Sequence, residues 1–279
     1  MSLEFKTVTV SPQWLNENHA SVVIIDCRFS LQEPELGRQQ YELNHIPGAY
    51  YLDLNQDLAS PVQVHGGRHP LPNPQVLAAK LSAMGVTSET LVVSYDDSRF
   101  AFAARLWWLL RYLGHPMVAV LEGGFSGYQA AGYPATAEIP LLRAGHLEPS
   151  VQPQMVVDIQ QVKNRSQDIV LVDSRDCDRY LGQREPIDPV AGHIPGAVNY
   201  PWQAVTDEQG YLKSAQELRQ HWADLETSKA WVYCGSGVTA CVNLLALEAA
   251  GIDSGKLYAG SWSDWCSYPL NQALEAQIV

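Results

Sequence analysis

The chain has 279 residues, 46% of them hydrophobic and 17% charged, which is typical of a globular protein and long enough for two domains. Its net charge of −12, from 18 basic and 30 acidic residues, argues against nucleic acid as a main partner. The first residues show no signal-peptide pattern, and no apolar run approaches the length of a membrane span. Five irregularly spaced cysteines favour neither a disulfide framework nor a metal site. We therefore expect a reduced, cytoplasmic protein that needs no metal or organic cofactor.

The dominant feature of the sequence is an internal repeat, whose four segments keep the same order in both copies. The paired segments are 22–28 with 169–175, 45–49 with 193–197, 93–96 with 231–234, and 123–128 with 260–265. Each copy alternates short apolar runs with helical stretches, which predicts a parallel β-sheet with helices on both faces. We therefore predict an α/β protein with two tandem domains, 1–134 and 154–279. The Pro-, Ala- and Gly-rich residues 135–153 are expected to link them.

Two features occur in both copies and are therefore expected to serve the common fold. The first apolar strand of each copy ends in Asp-x-Arg, at Asp26 and again at Asp173. We expect each aspartate and its arginine to form a salt bridge that holds the strand end. A histidine, His45 or His193, precedes Ile-Pro-Gly in each copy and is expected to fasten a turn. A second, functional role for His45 remains open.

The copies differ where the third predicted strand of each ends. In the second copy an apolar strand leads to Cys234, a short loop with two glycines, and an apolar helix that ends at Gly251. Glycines allow successive backbone N–H groups to point into one cup, and the helix N-terminus adds a partial positive charge. A thiolate is stabilised in such a cup, so Cys234 is predicted to be a nucleophile. The first copy has Asp96 at this position, which predicts a catalytically silent first domain.

These features resemble the two-domain rhodanese superfamily over essentially the whole chain. The sequence Cys-Gly-Ser-Gly-Val-Thr at 234–239 is similar to the signature of its 3-mercaptopyruvate sulfurtransferase branch. The resemblance implies that a small anionic donor, 3-mercaptopyruvate or thiosulfate, passes its outer sulfur to Cys234. The resulting persulfide would then be taken by cyanide, a thiol or a thioredoxin-like dithiol. A monomer is expected, because one chain contains both domains.

The resemblance also implies roles for individual residues. Arg179 and Arg184 correspond to two arginines that bind the donor's carboxylate, as a planar guanidinium can do with two hydrogen bonds. His45 corresponds to a histidine that acts beside the loop serine, here Ser236. The remaining loop residues are expected to contact the substrate; they are Gly235, Gly237, Val238 and Thr239.

Several alternatives remain open at this point. The chain could be a persulfide carrier that delivers sulfur to one partner protein, or a sulfurtransferase that prefers thiosulfate. A phosphatase is disfavoured, because that chemistry needs an arginine six residues after the cysteine and the chain has Ala240 there. Arg68 and His69, in a loop rich in Gly and Pro, are further candidates to reach the cleft between the domains.

Overall fold

The computed structural model describes residues 7–225, 229–252 and 255–269. The chain forms two compact units, each built around one five-stranded sheet. The first unit contains the residues up to 59 together with 72–152 and 206–212. The second contains residues 60–71, 153–205 and those from 213 onward.

The sheet of the first unit has the strand order β1-β5-β4-β2-β3, and all its strand pairs are parallel. Its strands are β1 (Thr9–Val10), β2 (Val22–Asp26), β3 (Tyr50–Tyr51), β4 (Leu91–Tyr95) and β5 (Val118–Leu121). Its helices are α1 (Pro12–Asn18), α2 (Leu36–Leu43), α3 (Pro74–Ala83), α4 (Ala103–Tyr112) and α5 (Gly124–Ala130). Every residue of β4 is buried, as expected for a central strand covered on both faces.

The second unit repeats this topology, with the parallel strand order β6-β10-β9-β7-β8. Its strands are β6 (Val156–Val157), β7 (Ile169–Asp173), β8 (Ala197–Asn199), β9 (Lys229–Tyr233) and β10 (Lys256–Tyr258). Its helices are α6 (Ile159–Lys163), α7 (Cys177–Tyr180), α8 (Ala215–His221), α9 (Ala240–Ala249) and α10 (Ser261–Trp265). The predicted repeat of parallel α/β units is thus confirmed. The sequence pattern missed β1 and β6, because two residues are too few to show a period.

The two features shared by both copies have structural roles. Arg28 pairs with Asp26 at 2.6 Å, and Arg175 pairs with Asp173 at the same distance, so the predicted strand-end salt bridges are confirmed. The His193 ring stacks on the Tyr180 ring with centroids 3.9 Å apart, and its Nδ1 lies 2.8 Å from the Tyr180 carbonyl oxygen. These contacts hold the turn that leads to β8.

The two units are not continuous in sequence, whereas the predicted domains were. Residues 60–71 follow the first copy's β3 but belong to the second unit, and residues 206–212 belong to the first. Residues 135–152, predicted as a linker, also group with the first unit. There Thr136 forms a β-bridge with His45. Because residues 60–71 belong to the second unit, their side chains lie in the same unit as Cys234.

Candidate active site

Cys234 directly follows β9, at the carboxyl end of the second unit's sheet, and it is 2% exposed. The first residues of α10 hold the backbone of Cys234 and Gly235 through hydrogen bonds. The Cys234 N–H donates to Ser261 Oγ at 3.1 Å, and its carbonyl accepts from the Trp262 N–H at 3.0 Å. The next carbonyl, of Gly235, accepts from the Ser263 N–H at 2.9 Å. These contacts hold the loop through the backbone of Cys234 and Gly235.

Gly237 has a conformation and surroundings that exclude a side chain. Its φ is +75°, and a Cβ there would lie 2.3 Å from the Ala259 carbonyl oxygen. The backbone can therefore turn at this point only with glycine. Val238 and Thr239 complete the turn, and their carbonyls accept from the first amides of α9. Four of the predicted loop residues thus shape the backbone around Cys234.

Ser236 forms a buried pair with His69. The Ser236 Oγ lies 2.8 Å from the His69 Nδ1, and the two residues are 7% and 6% exposed. His69 lies on the 60–71 segment, and the backbone of this segment is hydrogen-bonded to α10. The Gly66 N–H donates to Asp264 Oδ1 at 2.7 Å, and the Arg68 N–H donates to Ser263 Oγ at 3.1 Å. A hydroxyl and an imidazole in this arrangement can hold or move a proton beside Cys234.

Two guanidinium groups flank Gly235. A Cβ on Gly235 would lie 2.9 Å from Arg68 Nη2 and 3.6 Å from both terminal nitrogens of Arg179. Asp188 pairs with both arginines, through Oδ1 with Arg68 and through Oδ2 at 3.2 Å with Arg179. Glu185 also binds Arg179, at 2.7 Å. Two guanidinium groups, each paired with a carboxylate, therefore lie next to the residue after Cys234.

The two carboxylates of this cluster differ in their electrostatics. Burial raises the pKa of Asp188, and the charge of Arg68 opposes that shift. Burial also acts to raise the pKa of Glu185, but the hydrogen bond and charge of Arg179, together with the backbone N–H groups of Asp188 and Ile187, outweigh it and hold the pKa below its usual value. Both carboxylates have arginine partners, which keep the guanidinium groups in place.

Arg184 lies apart from this cluster in its contacts. Its side chain is 50% exposed and pairs with Asp178 at 2.5 Å and with Asp176 at 3.4 Å. Neither partner contacts Arg179 through a side-chain ion pair. The predicted substrate-binding role of Arg184 has no support in these contacts.

His45 has the same contacts as its repeat partner His193. It is fully buried in the first unit, where its ring stacks on Tyr41 with centroids 4.1 Å apart. Its Nδ1 lies 2.6 Å from the Tyr41 carbonyl oxygen, and its Nε2 lies 3.2 Å from that of Glu138. Both ring nitrogens thus face backbone carbonyls, so His45 holds a turn. The residue that lies beside Ser236 is His69.

The first unit shows what occupies the same loop when the cysteine is absent. Asp96 is 2% exposed, and its carboxylate accepts four backbone N–H groups at 2.8–3.1 Å. The donors are Ser98, Phe100, Phe102 and Ala103. Arg99, at the position of Gly237, has a φ of +56°, so the first unit's loop also turns through the left-handed region here. This loop geometry therefore binds an anion.

Comparisons with known proteins agree with this geometry. The rhodanese-like domain model matches residues 11–131 and 158–268. A probable 3-mercaptopyruvate sulfurtransferase from Pseudomonas aeruginosa is 42% identical over 256 residues, which cover 89% of this chain and 90% of the relative. The rat thiosulfate sulfurtransferase is 32% identical over 274 residues, which cover 92% of this chain and 91% of the relative.

Solved structures give the same result. The 3-mercaptopyruvate sulfurtransferase from Leishmania major superposes with a TM-score of 0.83 at 31% identity, over 95% of this chain and 75% of that one. SseA from Escherichia coli, a 3-mercaptopyruvate sulfotransferase, superposes with a TM-score of 0.81 at 32% identity, over 92% and 99%. This chain belongs to the rhodanese family. The predicted family and fold class are therefore confirmed, and the predicted enzyme class agrees with the names of these relatives.

Two further findings on this rhodanese concern metal ions and membranes. Among the described residues, no cluster of three or more His, Cys, Asp or Glu side chains could hold a metal ion. Within the same part of the chain, none of the helices has the length and apolar character needed to cross a membrane.

Sequence reasoning selected His45 because it followed the repeated His-Ile-Pro-Gly segment, whereas the histidine that contacts Ser236 is His69. His69 lies in a segment without hydrophobic periodicity, between β3 and α3. One signal was available: this segment has no counterpart in the second copy, and function is expected where the copies differ. Arg68 and His69 both come from it.

Proposed function

We propose that this protein is a sulfurtransferase that takes the outer sulfur of 3-mercaptopyruvate onto Cys234 and passes it to a thiophilic acceptor. The observation that carries the proposal is the buried Ser236–His69 pair next to Cys234, at 2.8 Å. The names of the relatives support the same donor class.

The first step is a displacement at sulfur. The Cys234 thiolate attacks the sulfur of 3-mercaptopyruvate, the carbon–sulfur bond breaks, and its electron pair stays on carbon as the enolate of pyruvate. That enolate must gain a proton to become pyruvate, and Ser236 backed by His69 is the donor. Thiosulfate leaves as sulfite, which needs no such proton. A hydrogen-bonded serine–histidine pair therefore favours 3-mercaptopyruvate over thiosulfate as the donor.

The persulfide formed on Cys234 is stabilised by the loop amides. The Asp96 carboxylate in the first unit is held by the amides of Ser98 and Phe100, which correspond to those of Ser236 and Val238. Preorganised N–H groups stabilise an anion at no cost in reorganisation during the reaction. Asp96 has no thiol, so we propose that the first unit's loop is catalytically silent and that one chain carries one reactive site.

The donor's carboxylate binds to Arg179. Arg179 is anchored by Glu185 at 2.7 Å and lies against Gly235, so its charge is held near the transferred sulfur. We further propose that cyanide, a thiol or a thioredoxin-like dithiol accepts the sulfur. The enzyme would act as a cytoplasmic monomer without an organic cofactor or metal.

Thiocyanate formation from cyanide, measured with each donor, tests this proposal. We expect 3-mercaptopyruvate to be preferred and Cys234→Ser to abolish turnover with both donors, because serine cannot form a persulfide. Rapid iodoacetamide labelling of the wild type should occur at Cys234 and be absent in the variant. A clear preference for thiosulfate would overturn the donor assignment. Rapid labelling without turnover of either donor would instead favour a persulfide carrier.

A further inference from the structure

Arg68 is placed to contact the same donor group as Arg179. Its Nη2 lies 2.9 Å from the point that a Cβ on Gly235 would occupy, and both terminal nitrogens of Arg179 lie 3.6 Å from that point. The Arg68 side chain is 29% exposed, and that of Arg179 is 12% exposed. Two cations from distant parts of the sequence thus converge beside the residue that follows Cys234.

Asp188 is the reason that two like charges can lie side by side. Its side chain is 2% exposed, and it offers one carboxylate oxygen to each guanidinium. Arg179 uses its Nε and Nη2 on Glu185. In the described ranges of the chain, Arg68 Nη2 and Arg179 Nη1 have no hydrogen-bond partner. Two such N–H donors, one on each guanidinium, match the two oxygens of a carboxylate.

We infer that Arg68 and Arg179 together bind the carboxylate of the sulfur donor, and that Asp188 positions both. This inference rests on the proposed function, because it assigns a further binding residue to the same reaction. Arg68 thus has the role that was predicted for Arg184.

The chemistry of the donor agrees with this placement. In 3-mercaptopyruvate two carbon atoms separate the carboxylate from the transferred sulfur, so the carboxylate must lie near the residue next to Cys234. Gly235 is that residue, and its missing side chain leaves room for both guanidinium groups. Thiosulfate has no carboxylate at this distance. Arg68 therefore contributes to the choice of donor as well as to binding.

The first measurement is steady-state kinetics of Arg68→Gln with both donors. We expect kcat/KM for 3-mercaptopyruvate to fall roughly 10- to 100-fold, mostly through KM, as for the loss of one charge-assisted hydrogen bond. With thiosulfate the loss should be at most about threefold. Arg68→Lys should recover part of the loss, since it keeps the charge but not the planar fork. Arg184→Gln is the matched control, and it should behave as the wild type. Equal losses with both donors would overturn the carboxylate contact.

The second measurement does not depend on turnover. Iodoacetate carries a carboxylate and iodoacetamide does not, so the ratio of their alkylation rates at Cys234 reports carboxylate binding directly. We expect Arg68→Gln to lower this ratio about tenfold while the iodoacetamide rate stays within about twofold. An unchanged ratio would refute the role of Arg68.

The two measurements separate the inference from the proposed function. If the wild type turns over neither donor, the proposed function fails, yet the alkylation ratio still tests Arg68. Thermal unfolding of each variant checks that the protein still folds, as we expect because Asp188 keeps Arg179 as a partner. If Arg68→Gln unfolds at a much lower temperature, Arg68→Lys is measured instead. An alkylation-rate ratio for Arg68→Lys that lies between the wild-type ratio and that of a free thiol supports the contact. A ratio equal to that of a free thiol refutes it.

Discussion

His69→Gln tests whether the Ser236–His69 pair moves a proton or only holds the loop. The pair is buried and its 2.8 Å separation is that of an ordinary hydrogen bond. Loss of that bond alone would cost about 1 kcal/mol, or roughly fivefold in rate. A general acid contributes about 10²- to 10⁴-fold, which corresponds to about 2.7–5.5 kcal/mol in the barrier. The two roles therefore predict effects that do not overlap.

We expect the larger effect, and only with 3-mercaptopyruvate, because only its leaving group must be protonated. Initial rates of thiocyanate formation with each donor measure it, and single-turnover pyruvate release isolates the first step. His65→Gln is a matched control: His65 lies on the same 60–71 segment, and its Nδ1 is 2.7 Å from Ser267 Oγ. It should change the rate less than about threefold. A loss below tenfold in His69→Gln, or an equal loss with thiosulfate, would refute the proton-transfer role.

Two further substitutions test the loops of the two units. Gly237→Ala places a methyl group 2.3 Å from the Ala259 carbonyl oxygen at a φ of +75°. We therefore expect it to displace the loop and to lower both turnover and the rate of Cys234 labelling at least about tenfold. Labelling at the wild-type rate would show that the loop does not need this geometry. Asp96→Ala removes the acceptor of four buried backbone amides. It should lower the free energy of unfolding, measured in urea, by about 3–5 kcal/mol, while turnover of the folded protein stays within about twofold of the wild type. A large loss of turnover would contradict a silent first unit.

The local parts of the structure could be predicted because short sequence patterns determine them. The apolar runs that became β2 and β7 are five residues long and end in an aspartate, and the arginine two positions later forms the salt bridge within the same turn. The loop at Cys234 is likewise local, since Gly237 supplies the positive φ that the turn requires. The repeat strengthened the prediction for the Asp-x-Arg segments, because a feature present twice belongs to the fold.

The surroundings of Cys234 depend on contacts between residues that lie far apart in the sequence. Ser236 and His69 are 167 positions apart, and Arg68 and Asp188 are 120 apart. Adjacency in the sequence does not determine these pairs: Arg184 lies next to Glu185, but Glu185 binds Arg179, six positions before it.

The sequence alone determined the family, the two sheets, the position of Cys234 on its loop and the structural role of the repeated Asp-x-Arg segments. These follow from hydrophobic period, turn chemistry and short-range pairing, which neighbouring residues decide. Only the tertiary structure decided which histidine contacts Ser236 and which second arginine lies beside Gly235. Residues 60–71 carry no periodic pattern, and their place in the second unit depends on hydrogen bonds to Ser263 and Asp264, almost two hundred positions away.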